Sequence, residues 1–180
     1  MSRHRGAVRA AVAGVLLLTA GCSSVEPRVP GCDEAARLAL VAQSVPTSSY
    51  VPCLRALPTG WSVTGFDAAR GGTSFELLSD RADGRPVEVR LQRRCSTTGA
   101  SPEPPRTAGG RTYLLLHSIS PRYTGMLLDV FPGGCVTYRF DFARGSHLAL
   151  MEELFATVDL LPRRQLRLEL RRDLDIELGP

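Results

Sequence analysis

Two histidines stand beyond residue 22, His117 in YLLLHSI and His147 in RGSHLAL, and they limit the acid–base chemistry open to the chain. Nucleophilic hydrolysis needs a hydroxyl or thiol, an imidazole to take its proton and a third group to orient the imidazole. Ser118 or Ser74, His147 and Asp129 supply those types, but no GxSxG elbow presents either serine. His117 alternates with Tyr113 and Leu115, which reads as a strand position, and His147 opens a helical pattern just after Ser146. Paired carboxylates are no better placed. Asp80 and Asp83 flank a turn, where Asp is favoured for backbone reasons, and Glu152 and Glu153 fall on the solvent side of a helix. All 22 basic residues are arginine, so neither a Schiff-base lysine nor a P-loop lysine exists, and no EF-hand, GxGxxG or Walker pattern is present. The sequence names no catalytic residue and implies no cofactor.

The cysteines carry a clearer signal. Cys32, Cys53, Cys95 and Cys135 follow a fifth, Cys22, and the CxxC and HxxxH spacings of a zinc site are absent. An even set in an exported chain points to two disulfides rather than a metal. Of the three possible pairings, Cys32–Cys53 with Cys95–Cys135 is favoured, because each closes a moderate loop within one half of the chain.

Residues 1–21 fall into three zones. Arg3, Arg5 and Arg9 come first, Ala10 to Leu18 is an unbroken apolar run, and Thr19, Ala20 and Gly21 are small. That order is a secretory signal peptide, and the run is about half the ~20 residues a membrane-spanning helix needs. The ending, Leu18-Thr19-Ala20-Gly21-Cys22, resembles the lipobox of bacterial lipoproteins, with Thr19 where leucine is commonest. The resemblance implies that the Cys22 sulfur receives a diacylglyceryl group and that a peptidase cuts before it. The expected product is anchored to the outer face of the cell membrane through a lipid on Cys22. Two acyl chains hold a protein stably on a bilayer, whereas one is marginal.

The formal charge of +4 misleads. Three arginines lie in the first 21 residues and all 18 acids lie after them, so the remainder carries +1. A nearly neutral domain offers no large field to nucleic acid, and nucleic-acid binding is excluded on that ground. The absence of lysine and asparagine, with isoleucine only at Ile119 and Ile176, reflects GC-rich codons such as an actinobacterium uses.

The elements read as follows. Residues 22–31 form a tether, and 32–180 a single domain with a flexible loop at 96–110, too rich in Pro, Gly, Ser and Thr to join a core. CDEAARLALVAQS is an amphipathic helix ended by Val45-Pro46, and residues 46–60 are an irregular connection. From Trp61 the period becomes two. WSVTGFD, TSFELLSD, RPVEVRLQRRC, RTYLLLHSI, TGMLLDVF and CVTYRFDF are strands, with a hairpin turn at Asp83-Gly84. A helix runs through GSHLALMEELFATVDLL with Ser146 as its cap, and Pro162 opens another; DLDIELGP fits strand or helix.

The expected fold is α+β: an antiparallel sheet of five or six strands, helices packed on one face, and two disulfides. The element order resembles PsbP-like domains over about residues 57–161, which carries no site residue across. Outward positions of two strands, Glu88, Arg90, Gln92 and Arg94 with Thr137, Arg139 and Asp141, would form a band of arginines and acids. Arg90, Arg94 and Arg139 are the candidate ligand-binding residues, since guanidinium forks suit carboxylate and phosphate. The functional expectation is a non-enzymatic binding or accessory module of the cell envelope, with an envelope protein or ligand as partner. The alternative is an envelope hydrolase whose site no motif reveals.

Overall fold

Seven strands lie side by side because two meanders meet in the middle. The first, which follows β1 (Tyr50–Leu54), comprises β2 (Trp61–Ala69), β3 (Gly72–Ser79) and β4 (Val87–Gln92); the second comprises β5 (Ser101–Glu103), β6 (Arg111–Ser118), β7 (Arg122–Phe131) and β8 (Gly134–Ala143). β4 pairs antiparallel with β8, giving the order β2-β3-β4-β8-β7-β6-β5 with every neighbour antiparallel. Beside this sheet, β1 (Tyr50–Leu54) and β9 (Val158–Pro162) form an antiparallel pair. Three helices complete the chain: α1 (Ala35–Ser44), α2 (His147–Thr157) and α3 (Arg163–Leu174). The computed structural model describes residues 28–143 and 145–179; the segment read as a signal peptide, Cys22 and most of the segment read as a tether lie outside the described residues.

Alternation along the strands makes one side of the sheet apolar. Phe66, Phe75, Val89, Tyr138, Leu127 and Leu114 are successive cross-strand partners, and the four in the middle are buried. Leu38 and Val41 of α1, Leu150 and Leu154 of α2, and Leu166 and Leu170 of α3 join them in one cluster that runs from Val29 to Leu178. The opposite row, Glu76, Glu88, Arg139, Met126 and Leu115, faces outward.

Both disulfides form as the spacing favoured, Cys32–Cys53 across 21 residues and Cys95–Cys135 across 40. Loops of these lengths stabilise the fold by roughly 3 and 4 kcal/mol through lost chain entropy. The first joins the start of the domain to β1, where Gly31 bridges Leu54 and the Cys32 N–H donates to the Leu54 carbonyl. Packing therefore begins at the buried pair Val29 and Pro30, inside the segment read as tether.

The strand count exceeds the expected five or six, for a reason shared by the three additions. β1 lies in the segment read as irregular, β5 in the segment read as a loop, and β9 in the segment read as helix. Each is five residues or fewer and acquires strand geometry from its partner rather than from its own pattern: β1 and β9 from each other, far apart in sequence, as Tyr50 does opposite Pro162, and β5 from the neighbouring β6. α2 accordingly stops at Thr157. Ser146 stands at its N-cap position, but its hydroxyl donates to the Ala143 carbonyl (3.3 Å) rather than capping the helix. The tail after α3 is neither strand nor helix: Asp175 turns left-handed (φ 52°) and Leu178 tucks into the core.

Residues 96–110 do more than connect. The chain leaves β4 near the middle of the sheet and returns at its edge, so residues 93–100 cross the outward side over β8, β7 and β6. Cys95 and Ser96 line a cleft with Met126 and Leu128, and a Cβ on Gly99 would lie 3.7 Å from Leu115 Cδ1. The crossing explains how Leu128 is 1 % exposed although it points away from the core. Among the described residues, no helix is long and apolar enough to cross a membrane.

Candidate functional site on the outward sheet face

Arg139 occupies the centre of the outward face. Its cross-strand neighbours are Glu88 on β4 and Met126 on β7, and clefts open on both sides of it. One, of about 320 Å³, is bounded by Arg90, Gln92, the Cys95–Ser96 crossing, Met126 and Leu128. The other, of about 460 Å³, is bounded by Arg85, His117, Thr124 and Asp141, with Glu88 shared between the two. The structure thus brings Arg90 and Arg139 together, as the alternation of β4 and β8 predicts once those strands are neighbours. Arg94 is not part of this arrangement. It lies two residues beyond the end of β4, exposed and away from the lining of either cleft.

Charges around Arg139 are mostly spoken for. Arg90 holds Glu88 on its own strand through two N–H donors, at 2.6 and 3.1 Å. Asp141 accepts from both Arg85 and Arg122, and Arg122 also reaches Asp83 at 3.1 Å. Partial burial pushes the Asp141 carboxyl up, but Arg122 and Arg85 together outweigh it and hold the group below the usual carboxylate range. The Arg139 guanidinium makes no hydrogen bond or ion pair with any described residue. An unpaired guanidinium beside a cleft with an apolar wall is suited to a carboxylate or phosphate on a partly apolar ligand.

The hydroxyl–imidazole–carboxylate set drawn from the sequence does not assemble. Asp129 is buried on the core side, where Arg106 Nη1 donates to one oxygen (2.8 Å) and Thr112 Oγ1 to the other (2.7 Å). His147 packs against the Tyr123 ring at 4.4 Å, Ser74 lies beside Arg90 on the outward face, and Ser118 donates to the Ser120 carbonyl. The other histidine has different company. His117, Thr124 and Asp141 line one cleft, although no hydrogen bond links them and both Asp141 oxygens accept from arginines. Among the described residues, no group of three His, Cys, Asp or Glu could hold a metal ion.

Sequence reading missed the ionic group under the sheet. Arg106 projects from residues 104–110 into the core, over the rings of Tyr138 (5.1 Å) and Phe155 (4.4 Å), and donates to the Val158 carbonyl (3.2 Å). Burial raises the Asp129 carboxyl above its ordinary range, and Arg106 and Thr112 offset only part of that rise. The Tyr138 hydroxyl lies beside the pair, fully buried and without a hydrogen bond of ordinary geometry, and burial drives it far above its usual value. One signal was available. Asp129 shares strand parity with Leu127 and Phe131, and so had to face inward with a partner.

Compared with protein-family models, with curated proteins and with solved structures, the chain gives no match.

Breaking a buried pair by removing one partner costs about 3–5 kcal/mol near neutral pH, which is the expected loss for Arg106→Ala in denaturant unfolding. Its pH dependence has a definite sign. With the Asp129 carboxyl raised in the fold, the native state binds more protons than the unfolded chain between the two values, so its contribution to stability falls as pH rises through that window. The cost of Arg106→Ala is therefore larger at pH 7 than near pH 4. An equal cost at both would trace the loss to packing rather than to the stranded carboxylate.

Proposed function

We propose that this chain is a lipid-anchored binding module at the outer face of the cytoplasmic membrane, with Cys22 as its acylated first residue. Its outward sheet face would receive a carboxylate- or phosphate-bearing envelope ligand through Arg139 and Arg90. The observation that carries the binding reading is the unpaired Arg139 guanidinium, set between two clefts on a face whose other charges are largely paired. Two disulfides support an exported chain, since such bonds persist in oxidising compartments. The Cys32–Cys53 bond also ties the fold ten residues after Cys22, where an anchored chain would be pulled.

Intact mass of the protein from its own membranes tests the anchor. The expected result is a chain that starts at Cys22, carries a diacylglyceryl group and gains four hydrogens on reduction; Cys22→Ala abolishes acylation. An unacylated wild-type chain would remove the membrane from this reading.

The ligand site has its own check, thermal unfolding with glycerol phosphate as probe. A ligand at a hundred times its dissociation constant stabilises by about 2.7 kcal/mol. Arg139→Gln and Arg90→Gln are expected to lose the shift, and Arg94→Gln, outside the clefts, to keep it. A shift that survives Arg139→Gln would place the ligand elsewhere.

A second reading, hydrolysis, rests on the cleft shared by His117, Thr124 and Asp141. It requires turnover of an ester or phosphoester that His117→Ala eliminates. Under the binding reading, no such His117-dependent turnover is seen.

A further inference from the structure

A separate cleft lies where the chain enters the fold. It measures about 790 Å³ and is lined by Arg28, Arg37, Arg55, Leu57, Trp61 and Val63, with Asp33 and Glu34 on the same wall. Three guanidinium groups thus stand against two carboxylates. Glu34 is engaged internally, accepting from the Gly31 N–H at 2.7 Å and lying 3.6 Å from Arg37. Arg55 is held by Asp159 at 2.7 Å. Arg28 is exposed and has no partner among the described residues.

Exposed leucines stand on its wall and on the adjoining helix α1. Leu57, on its wall, is 42 % exposed, and Leu40, one turn beyond Arg37 on α1, is 62 % exposed. Trp61 turns its indole inward, its N–H donating to Glu153 at 2.6 Å. The combination is an exposed arginine without a described partner beside exposed leucine. It matches the boundary between headgroups and acyl chains, where cationic heads meet phosphate and apolar stems enter the hydrocarbon.

Distance places the cleft at that boundary. Arg28 lies six residues beyond Cys22, and an extended chain spans at most about 3.6 Å per residue, or about 20 Å. A lipid on Cys22 therefore keeps Arg28 within reach of the headgroups. Tethering also makes the contact intramolecular, so that an individually weak headgroup contact is populated.

We propose that this cleft seats the phosphate of an anionic phospholipid in the membrane that holds the anchor, with Arg28 and Arg37 as its forks and Leu57 and Leu40 entering the leaflet. The domain then stands on the bilayer by its α1–β1–β2 end. The proposal rests on the lipid-anchor reading, and the test separates the two.

Trp61 is the chain's single tryptophan and lines the cleft, so it reports docking directly. The full protein extracted from its own membranes is mixed with phosphatidylcholine vesicles and with vesicles containing phosphatidylglycerol, each carrying headgroup spin-labelled lipid. Flotation reads the anchor, and quenching of Trp61 reads the cleft. The expected result is flotation with both vesicles, stronger quenching with the anionic ones, and loss of that excess in Arg28→Gln/Arg37→Gln. Both arginines are exposed, Arg28 without a described partner and Arg37 only 3.6 Å from Glu34, so the variant is expected to unfold at the wild-type temperature; Leu57→Gln checks the apolar half independently. Flotation with both vesicles and equal quenching would overturn the cleft and leave the anchor standing. Binding to anionic vesicles alone, lost in the double arginine variant, would support the cleft and overturn the anchor. Flotation with neither overturns both.

Discussion

The antiparallel pairing of β4 with β8 is the contact on which the rest depends. It joins two meanders separated in sequence, from Glu88 opposite Arg139 to Gln92 opposite Cys135. Such a pairing closes a long loop before it is rewarded by contacts. The reward is double. Val89 meets Tyr138 under the sheet at the centre of the core, and the ladder from Glu88–Arg139 to Gln92–Cys135 supplies the backbone hydrogen bonds. A slip of one residue would exchange these faces, placing Arg139 in the core and Tyr138 in water. The Cys95–Cys135 bond sits beside the last pair of this ladder, on the outward side, and holds the register covalently.

From that pairing follows the division of the outward face. Because β4 ends at the centre and β5 lies at the edge, the chain must cross three strands, and the sheet's hydrogen bonds leave only its faces free. Residues 93–100 take the outward one and shelter Leu128 and part of Met126. The uncovered part keeps its ions: Arg122 and Arg85 on Asp141, and Arg90 on Glu88. Exposed pairs of this kind contribute little to stability, typically below about 1 kcal/mol each. Their effect is on availability. They leave the Arg139 guanidinium as the group with an open fork where ionic and apolar surfaces meet.

Legibility followed the range of the interactions. Alternation in CVTYRFDF and RPVEVRLQ shows which residues face inward before any neighbour is known, because the period belongs to the strand itself. The helices at Ala35 and His147 are local in the same sense, and the Cys pairs followed from an even count and moderate loop lengths. β1 and β9 are different. VDLLP has an apolar pattern that continues a helix as readily as it forms a strand, and only Tyr50–Leu54 alongside decides it. Likewise Pro-, Gly- and Thr-rich composition describes 96–110 correctly as poor in core residues, yet Arg106 enters the core on its charge and its planar group. The outward arginines were legible through parity. Their separation into Arg90 and Arg139 together, with Arg94 apart, depends on where β4 ends.

The ion pair beneath the sheet couples these parts. A buried pair seldom stabilises a fold relative to well-packed apolar residues, because both ions are desolvated. What it does is penalise every arrangement in which the partners separate. Arg106 comes from the segment between β5 and β6, Asp129 and Thr112 from β7 and β6, and the Val158 carbonyl from the start of β9. Any displacement of β9 away from the sheet would strip a hydrogen bond from Arg106 and uncover its ring contact with Phe155. β9 pairs in turn with β1, whose Cys53 is bonded to Cys32 at the start of the domain. One half-buried guanidinium therefore links the β5–β6 side of the large sheet, through β9 and β1, to the end of the molecule where the chain enters.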